Sequence, residues 1–296
     1  MQDSKSLYTR CFPEYILSDD DLKRLQDTLL RMLVDIKAVC DEHRIDYMLC
    51  GGTTLGAVRH GGFIPWDDDV DIMMLRGEFE KFKKVFQKEF SDKYELVEPL
   101  SDPRYFGKLV KIFKKGTTFV EIPTAGVGGP DMIFVDLFLI ENVPAPGVKR
   151  RLKALVYDLA FKAASVCLDC RYPSPPILEK GRTDRELRRY YALRRTLGFF
   201  FSIFGTPRFY LRICEKLADQ KEETDWLGIP SDSGYLDRIY PRALFTDLTD
   251  AEFCGYEMKI PRDYDTYLRG EYGDYMQIPP PEKREIHSAY TIDFEK

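Results

Sequence analysis

The sequence predicts an α+β fold. Stretches with apolar residues every three or four positions are interspersed with short apolar or strictly alternating runs, so helices and strands are both present. A basic, aromatic, mostly helical middle then follows the strand-bearing part. The 296 residues are 44% hydrophobic and 14% aromatic, an ordinary globular composition. A chain of this length buries roughly 75% of its unfolded surface, so a sizeable core is available.

Residues 19–41 read as an amphipathic helix. Leu22, Leu25, Leu29, Leu33, Ile36 and Cys40 share one face, and Ser18 is placed to cap the start. Residues 47–50 are a short apolar run that stops at Gly51-Gly52, as a buried strand does when it enters a tight turn. Residues 69–74 alternate acidic and apolar, which is strand periodicity. Residues 78–90 return to helical spacing, with Phe79, Phe82, Phe86 and Phe90 on one side. Residues 106–113 and 118–122 flank Lys114-Lys115-Gly116-Thr117 and are expected to pair as a hairpin. Residues 132–140 form an apolar strand broken only by Asp136, and Pro144, Pro146 and Gly147 mark a linker. Residues 148–220 are helical in pattern with a Pro-rich break at 172–176, and the chain from 231 onward is turn-rich and aromatic. Pro279-Pro280-Pro281 enforces an extended segment. The expected division is a catalytic core over 1–145, a helical basic region over 146–230, and a segment over 231–296 that packs back on the core.

Charge narrows the function. With 44 Lys and Arg against 49 Asp and Glu, the net charge is -5, which argues against a nucleic-acid coat protein. The average hides a basic middle: residues 149–216 hold 16 Lys and Arg against 6 Asp and Glu. One surface is therefore expected to meet something anionic. The stretch 182–216 includes Arg188, Arg189, Arg194 and Arg195, then Phe199-Phe200-Phe201 and Phe204. It reads either as a core helix with a solvated basic face or as a peripheral membrane contact. Asp3, Lys5, Arg10 and Glu14 interrupt any signal-like apolar run. The most apolar uncharged stretch, 196–207, falls short of the roughly 20 residues a spanning helix needs. The expectation is a cytoplasmic protein, at the inner face of the membrane if the basic middle docks there. Seven scattered cysteines then read as reduced thiols.

The chemistry concentrates between residues 50 and 72. On a strand, Asp69 and Asp71 would share a face about 6–7 Å apart. Like charges so placed call for a cation, and a hard, oxygen-loving ion such as Mg²⁺, or Mn²⁺ in its place, suits them. Asp136 is costly inside an apolar strand unless it reaches the same site. Gly51 and Gly52 allow the backbone to approach a ligand closely, and a helix opening at Thr53 would offer amide donors to a phosphate. Together these features describe metal-assisted phosphoryl or nucleotidyl transfer. Arg59 and His60 lie between the glycines and the acidic strand, where either could hold a phosphate. Lys108 and Lys111 could neutralise a diphosphate, or simply line a solvated strand face.

Other readings compete. Asp67, Asp69, Asp71 and Glu78 occupy EF-hand positions, but Ile72 stands where that loop requires Gly. No Lys follows Gly56, so the glycines are not a Walker A loop. Cys167 and Cys170 have zinc spacing but no second pair nearby. His287 has no local partner that indicates a role.

The stretch 51–71, GGTTLGAVRHGGFIPWDDDVD, resembles the LicD family signature almost throughout. Shorter matches follow at Lys111-Ile112, at 116–121, at 133–138, and at Tyr267-Leu268 through Met276, Pro279-Pro280 and His287. Phe113 departs from the pattern, since many relatives carry a basic residue there. The resemblance implies a nucleotidyltransferase-like mixed sheet with flanking helices. It implies transfer of a phospho-alcohol, typically phosphocholine, from a CDP-alcohol donor such as CDP-choline to a glycan acceptor, free or lipid-linked, with CMP leaving. By the same resemblance Asp69 and Asp71 are the metal pair, Asp136 the third carboxylate, and Gly51, Gly52 and Thr53 the phosphate turn. A nucleotidyltransferase using an NTP and releasing pyrophosphate remains open on these residues. So does a non-enzymatic protein that binds a cation or a membrane.

Overall fold

A computed structural model describes residues 4–280, 284 and 289–294; His287 lies outside the described residues. Helix α1 (Ser4–Cys11) leads to α2 (Asp19–His43). The Ser18 hydroxyl accepts the Asp21 amide, three aspartates fill the first turn, and Arg44 ends the helix in a left-handed conformation. Strand β1 (Met48–Leu49) runs directly into α3 (Gly51–His60). Then come β2 (Asp71–Leu75), α4 (Arg76–Phe90), β3 (Tyr94–Val97), β4 (Val110–Lys114), β5 (Thr118–Glu121) and β6 (Phe134–Asn142). The helical middle holds α5 (Val148–Arg171), α6 (Pro175–Lys180), α7 (Arg185–Ser202) and α8 (Pro207–Ala218). The remainder is β7 (Trp226–Gly228), β8 (Ile239–Pro241), α9 (Ala243–Thr246), β9 (Leu248–Phe253), β10 (Tyr256–Pro261), α10 (Tyr264–Tyr272) and β11 (Ala289–Asp293).

Seven strands form one mixed sheet in the order β1-β2-β6-β4-β3, with β7 and β8 extending from the far end of β6. Only β2 and β6 pair in parallel; the other pairs are antiparallel. The alternation of each strand gives the sheet two distinct faces. One carries Ile72, Met74, Val110, Ile112, Val135 and Leu137, buried with the apolar stripes of α2 and α4. The other carries Asp71, Lys111, Asp136 and, further along, Met73 and Phe138. This second face bears the site.

The expected 106–122 hairpin does not form. β4 pairs with β3 on one edge and β6 on the other, so it has no edge left for β5. Gly116 does turn the chain, at φ +81°. The Thr117 hydroxyl then accepts the Ile133 amide and directs the chain outward. β5 pairs instead with β11, from the far end of the chain. A true hairpin occurs at β9–β10, turned by Cys254 and Gly255, both at positive φ. The acidic segment is not an EF-hand: β2 starts at Asp71 and α4 at Arg76, where the loop should continue.

The middle helices pack as a layer on the core. α5 and α7 approach closely at Gly198, where an added Cβ would lie 1.9 Å from the Val166 carbonyl oxygen. Cys167 packs at the same crossing, its thiol 3.6 Å from the Gly198 oxygen. Arg76 ties this layer to the sheet. Its guanidinium reaches buried Glu141 on β6 at 2.8 and 3.0 Å and Glu215 on α8 at 3.0 Å. Phe199, Phe200, Ile203 and Phe204 are not core residues, as a helix with only its basic face solvated would require; all four are exposed.

Candidate active site

The site grows out of the junction between β1, α3 and β2. The Cys50 amide donates to the Asp71 carbonyl at 2.9 Å, and the Asp71 amide donates to the Thr53 hydroxyl at 2.9 Å. Thr53 is therefore a buried brace for β2, turned inward from the cavity. Helix α3 begins at Gly51, two residues before the expected start. Gly51 adopts φ +50°, and its amide donates to the Tyr267 hydroxyl at 2.9 Å. An added Cβ there would lie 3.5 Å from Asp71 Oδ2 and from the Tyr272 hydroxyl. At Gly52 it would lie 3.2 Å from Asp67 Oδ2. The glycines thus keep the helix N-terminus close to two carboxylates with no side chain between.

Across the sheet, Asp71 is the register partner of Asp136, and Asp136 is the partner of Lys111. The two aspartates face a cavity of about 630 Å³. Gly51, Gly52, Arg59, Asp69, Asp71 and Asp136 all line it. Asp69 does so from the segment just ahead of β2, since the strand starts two residues later than expected. Lys111 borders a neighbouring, aromatic pocket that contains Phe113 and Phe134. Its ammonium sits 3.6 Å from Asp136 Oδ1 and 3.4 Å from Glu121 Oε2. Burial pulls Lys111 toward the neutral form, but Asp136 and Glu121 outweigh it and hold its pKa above the usual lysine value. His60 does not join the site. It borders a separate depression with Gln26 and Cys254, and burial together with Arg59 lowers its pKa.

Arg59 and Lys108, expected from the sequence, line the cavity, and Asp67, Arg238 and Arg284 join them without having been read as donor contacts. Asp67 faces Gly52. Arg238 pairs with Asp232 and Glu271, which outweigh burial and keep it charged. Arg284 stacks over Trp66 at 4.0 Å. The Arg59 guanidinium donates to the Tyr275 carbonyl at 2.6 Å. Lys108 lines the cavity wall and donates to the Asp232 carbonyl. Burial pulls its pKa down to about 8, against the opposing pull of Asp232. Asp67 sat within the acidic segment, whereas Arg238 and Arg284 carried no local signal.

The donor set matters for any bound ion. Asp67, Asp69, Asp71 and Asp136 offer only carboxylate oxygens, a hard set that suits Mg²⁺ or Mn²⁺ over softer metals. Among the described residues, the three-ligand group within 4.8 Å is Glu42, His43 and Glu89, on the protein surface. Asp69, Asp71 and Asp136 are not drawn together as tightly. Asp136 instead keeps its lysine. The residues present fit an ion held by Asp69 and Asp71, with Asp136 standing beside it.

The profile described as LicD/FKTN/FKRP, nucleotidyltransferase domain, matches residues 44–125, which include the glycine turn, both early aspartates and Lys111. The chain is also 30% identical over 278 residues to the lipopolysaccharide cholinephosphotransferase LicD of Haemophilus influenzae, covering 92% of this chain and 98% of that protein. The chain belongs to the LicD family. Shorter matches link it to two uncharacterised rickettsial proteins. One, from Rickettsia typhi, is 35% identical over 75 residues, 23% of this chain and 24% of that protein. The other, from Rickettsia prowazekii, is 39% identical over 65 residues, 20% of this chain and 24% of that protein. The LicD similarity thus extends through the helical middle and the C-terminal segment that closes the cavity. At the departure from the family pattern, Phe113 is buried edge-on to Tyr105 and Phe134.

Proposed function

We propose that this chain transfers phosphocholine from CDP-choline to a hydroxyl of a cell-surface glycan precursor, releasing CMP. The observation that carries this reading is the alignment of Asp71 with Asp136 opposite the open N-terminus of α3. Similarity to a lipopolysaccharide cholinephosphotransferase supports the choice of phospho-alcohol and of a lipopolysaccharide-type acceptor, free or lipid-linked.

Asp69 and Asp71 would hold a Mg²⁺ or Mn²⁺, which would supply positive charge to the donor diphosphate. Gly51 and Gly52 let the phosphate approach the helix backbone. Lys108 and Arg59 add positive charge at the cavity wall. The acceptor oxygen bonds to the distal phosphorus as the bond to the bridging oxygen breaks and CMP departs. Asp136, with the Lys111 ammonium 3.6 Å from its Oδ1, takes the proton from the attacking hydroxyl.

The test is nucleotide release. Purified protein is incubated with Mg²⁺ and, separately, CDP-choline, other CDP-alcohols, CTP and ATP. CMP from CDP-choline, lost with EDTA and in Asp69→Ala, is the expected result. Pyrophosphate from an NTP would replace this reading with nucleotidyl transfer. Metal binding with no turnover, even when a lipid-linked glycan is supplied, would leave a binding protein.

A further inference from the structure

Helix α5 has two apolar faces. Ala154, Tyr157, Ala160, Ala164 and Cys167 point inward and are buried. On the opposite side Val148, Leu152, Leu155, Val156 and Leu159 recur at helical spacing and are exposed, Val148 at 74% and Leu155 at 65%. Helix α7 repeats the pattern toward its C-terminus. Leu193, Leu197, Phe200 and Phe204 form an exposed stripe, flanked by Phe199 at 69% and Ile203 at 67%. Helix α7 packs on the C-terminal part of α5: Arg194 reaches Ser165, and Gly198 meets Val166 and Cys170. The C-terminal half of α7 therefore lies beside the C-terminal end of α5, and the exposed stripe of α5 occupies the N-terminal half, away from those contacts.

Such stripes are far outside the scatter of single exposed apolar residues on a soluble surface. Exposed cations accompany the stripes: Lys149 and Arg151 on α5, Arg188 and Arg189 on α7. Among the described residues no helix is long and apolar enough to cross a membrane. Apolar stripes accompanied by arginine and lysine on non-spanning helices are the composition of interfacial helices. A second copy of the chain is a poor cover, because a two-fold contact would bring the same cations against each other.

We propose that α5 and α7 seat the protein on an anionic phospholipid surface, with the exposed stripes among the acyl chains and the exposed cations at the headgroups. The inner side of α5 already touches the cavity wall, where Lys108 lies 4.1 Å over the Phe161 ring. Docking therefore places the cavity roughly one helix diameter, about 10 Å, from the lipid. An acceptor carried on a lipid would be presented at that height.

The experiment uses the full chain and vesicles of phosphatidylcholine, with or without phosphatidylglycerol, in sedimentation at low and high salt. Two double variants, Leu152→Gln/Leu155→Gln and Phe200→Gln/Phe204→Gln, are compared with the parent, with thermal melting as a check on folding. The expected result is binding to phosphatidylglycerol vesicles that weakens with salt. Each double variant should bind about tenfold less or weaker still, with an unchanged melting point. No binding by the parent at low salt overturns the proposal. Equal binding by both variants also overturns it, because the stripes would then be idle. A dimer in size-exclusion chromatography that the variants abolish, without vesicle binding, assigns the stripes to a second copy instead.

Discussion

Asp71 and Asp136 stand directly opposite each other on adjacent parallel strands, although 65 positions separate them in the chain. Parallel pairing with no intervening strand sets two carboxylates side by side on one face. Asp71→Asn or Asp136→Asn should lower turnover by about 10²–10³-fold, the scale on which preorganised charge contributes to catalysis. Melting temperature should hold or rise for Asp71→Asn, which removes like-charge repulsion, and fall for Asp136→Asn, which leaves the half-buried Lys111 ammonium with Glu121 alone. CMP-release kinetics and calorimetry on the same preparations check both halves.

Thr53 predicts a different phenotype. Its hydroxyl accepts the Asp71 amide, so Thr53→Val orphans a backbone donor at a cost of about 1–3 kcal/mol. Thr53→Ser keeps the acceptor and should stay close to the parent. A phosphate-binding role would instead show as a raised KM in Thr53→Val with little loss in denaturant stability.

Gly51 stands at φ +50° with Asp71 and Tyr272 at its open side. Gly51→Ala should cost roughly 1–2 kcal/mol of stability from the left-handed backbone alone. The new methyl also intrudes between the helix terminus and Asp71, so donor KM should rise beyond what the stability loss explains. Urea titration and steady-state kinetics separate the two effects.

Lys108 supplies a pH signature. With its pKa pulled down to about 8 by burial, it is charged below that pH and neutral above it. An anionic donor prefers the charged form, so kcat/KM should fall as pH rises through about 8. Lys108→Arg, which stays protonated, should remove that alkaline limb. A profile identical in parent and variant would remove Lys108 from donor binding.

Arg76 and Glu141 form the buried tie between the sheet and the helical layer. Arg76→Met leaves Glu141, 3% exposed, without its guanidinium, at a cost of about 3–5 kcal/mol. Arg76→Met combined with Glu141→Leu should recover most of that loss. Denaturant midpoints for the two single variants and the double variant give the coupling.

Residues 50–72 were readable because their signals are local. A glycine pair ending an apolar run and an acidic-apolar alternation each occupy a few positions and follow from steric freedom and strand period. The parallel pairing of β2 and β6 was implied only by the cost of Asp136 in an apolar strand. β5 misled because a glycine turn marks a reversal but does not say whether a strand edge is free. Tyr272, Arg238 and Arg284 reach the cavity, and Tyr267 the Gly51 amide behind it, from far along the chain, and no periodicity encodes such a meeting. The exposed stripes of α5 and α7 look in sequence like any helix core; only the packing shows that another face is already buried.

The bond between the Gly51 amide and the Tyr267 hydroxyl sets an order of events during synthesis. The glycine turn, the carboxylate row and the helical layer all emerge before Tyr267 does. The helical layer can therefore be complete while the cavity still lacks the wall that Tyr272 and Tyr275 supply. A chain stalled or clipped ahead of α10 would lack that wall and the brace at Gly51, and on the proposed docking and transfer it would bind vesicles without releasing CMP.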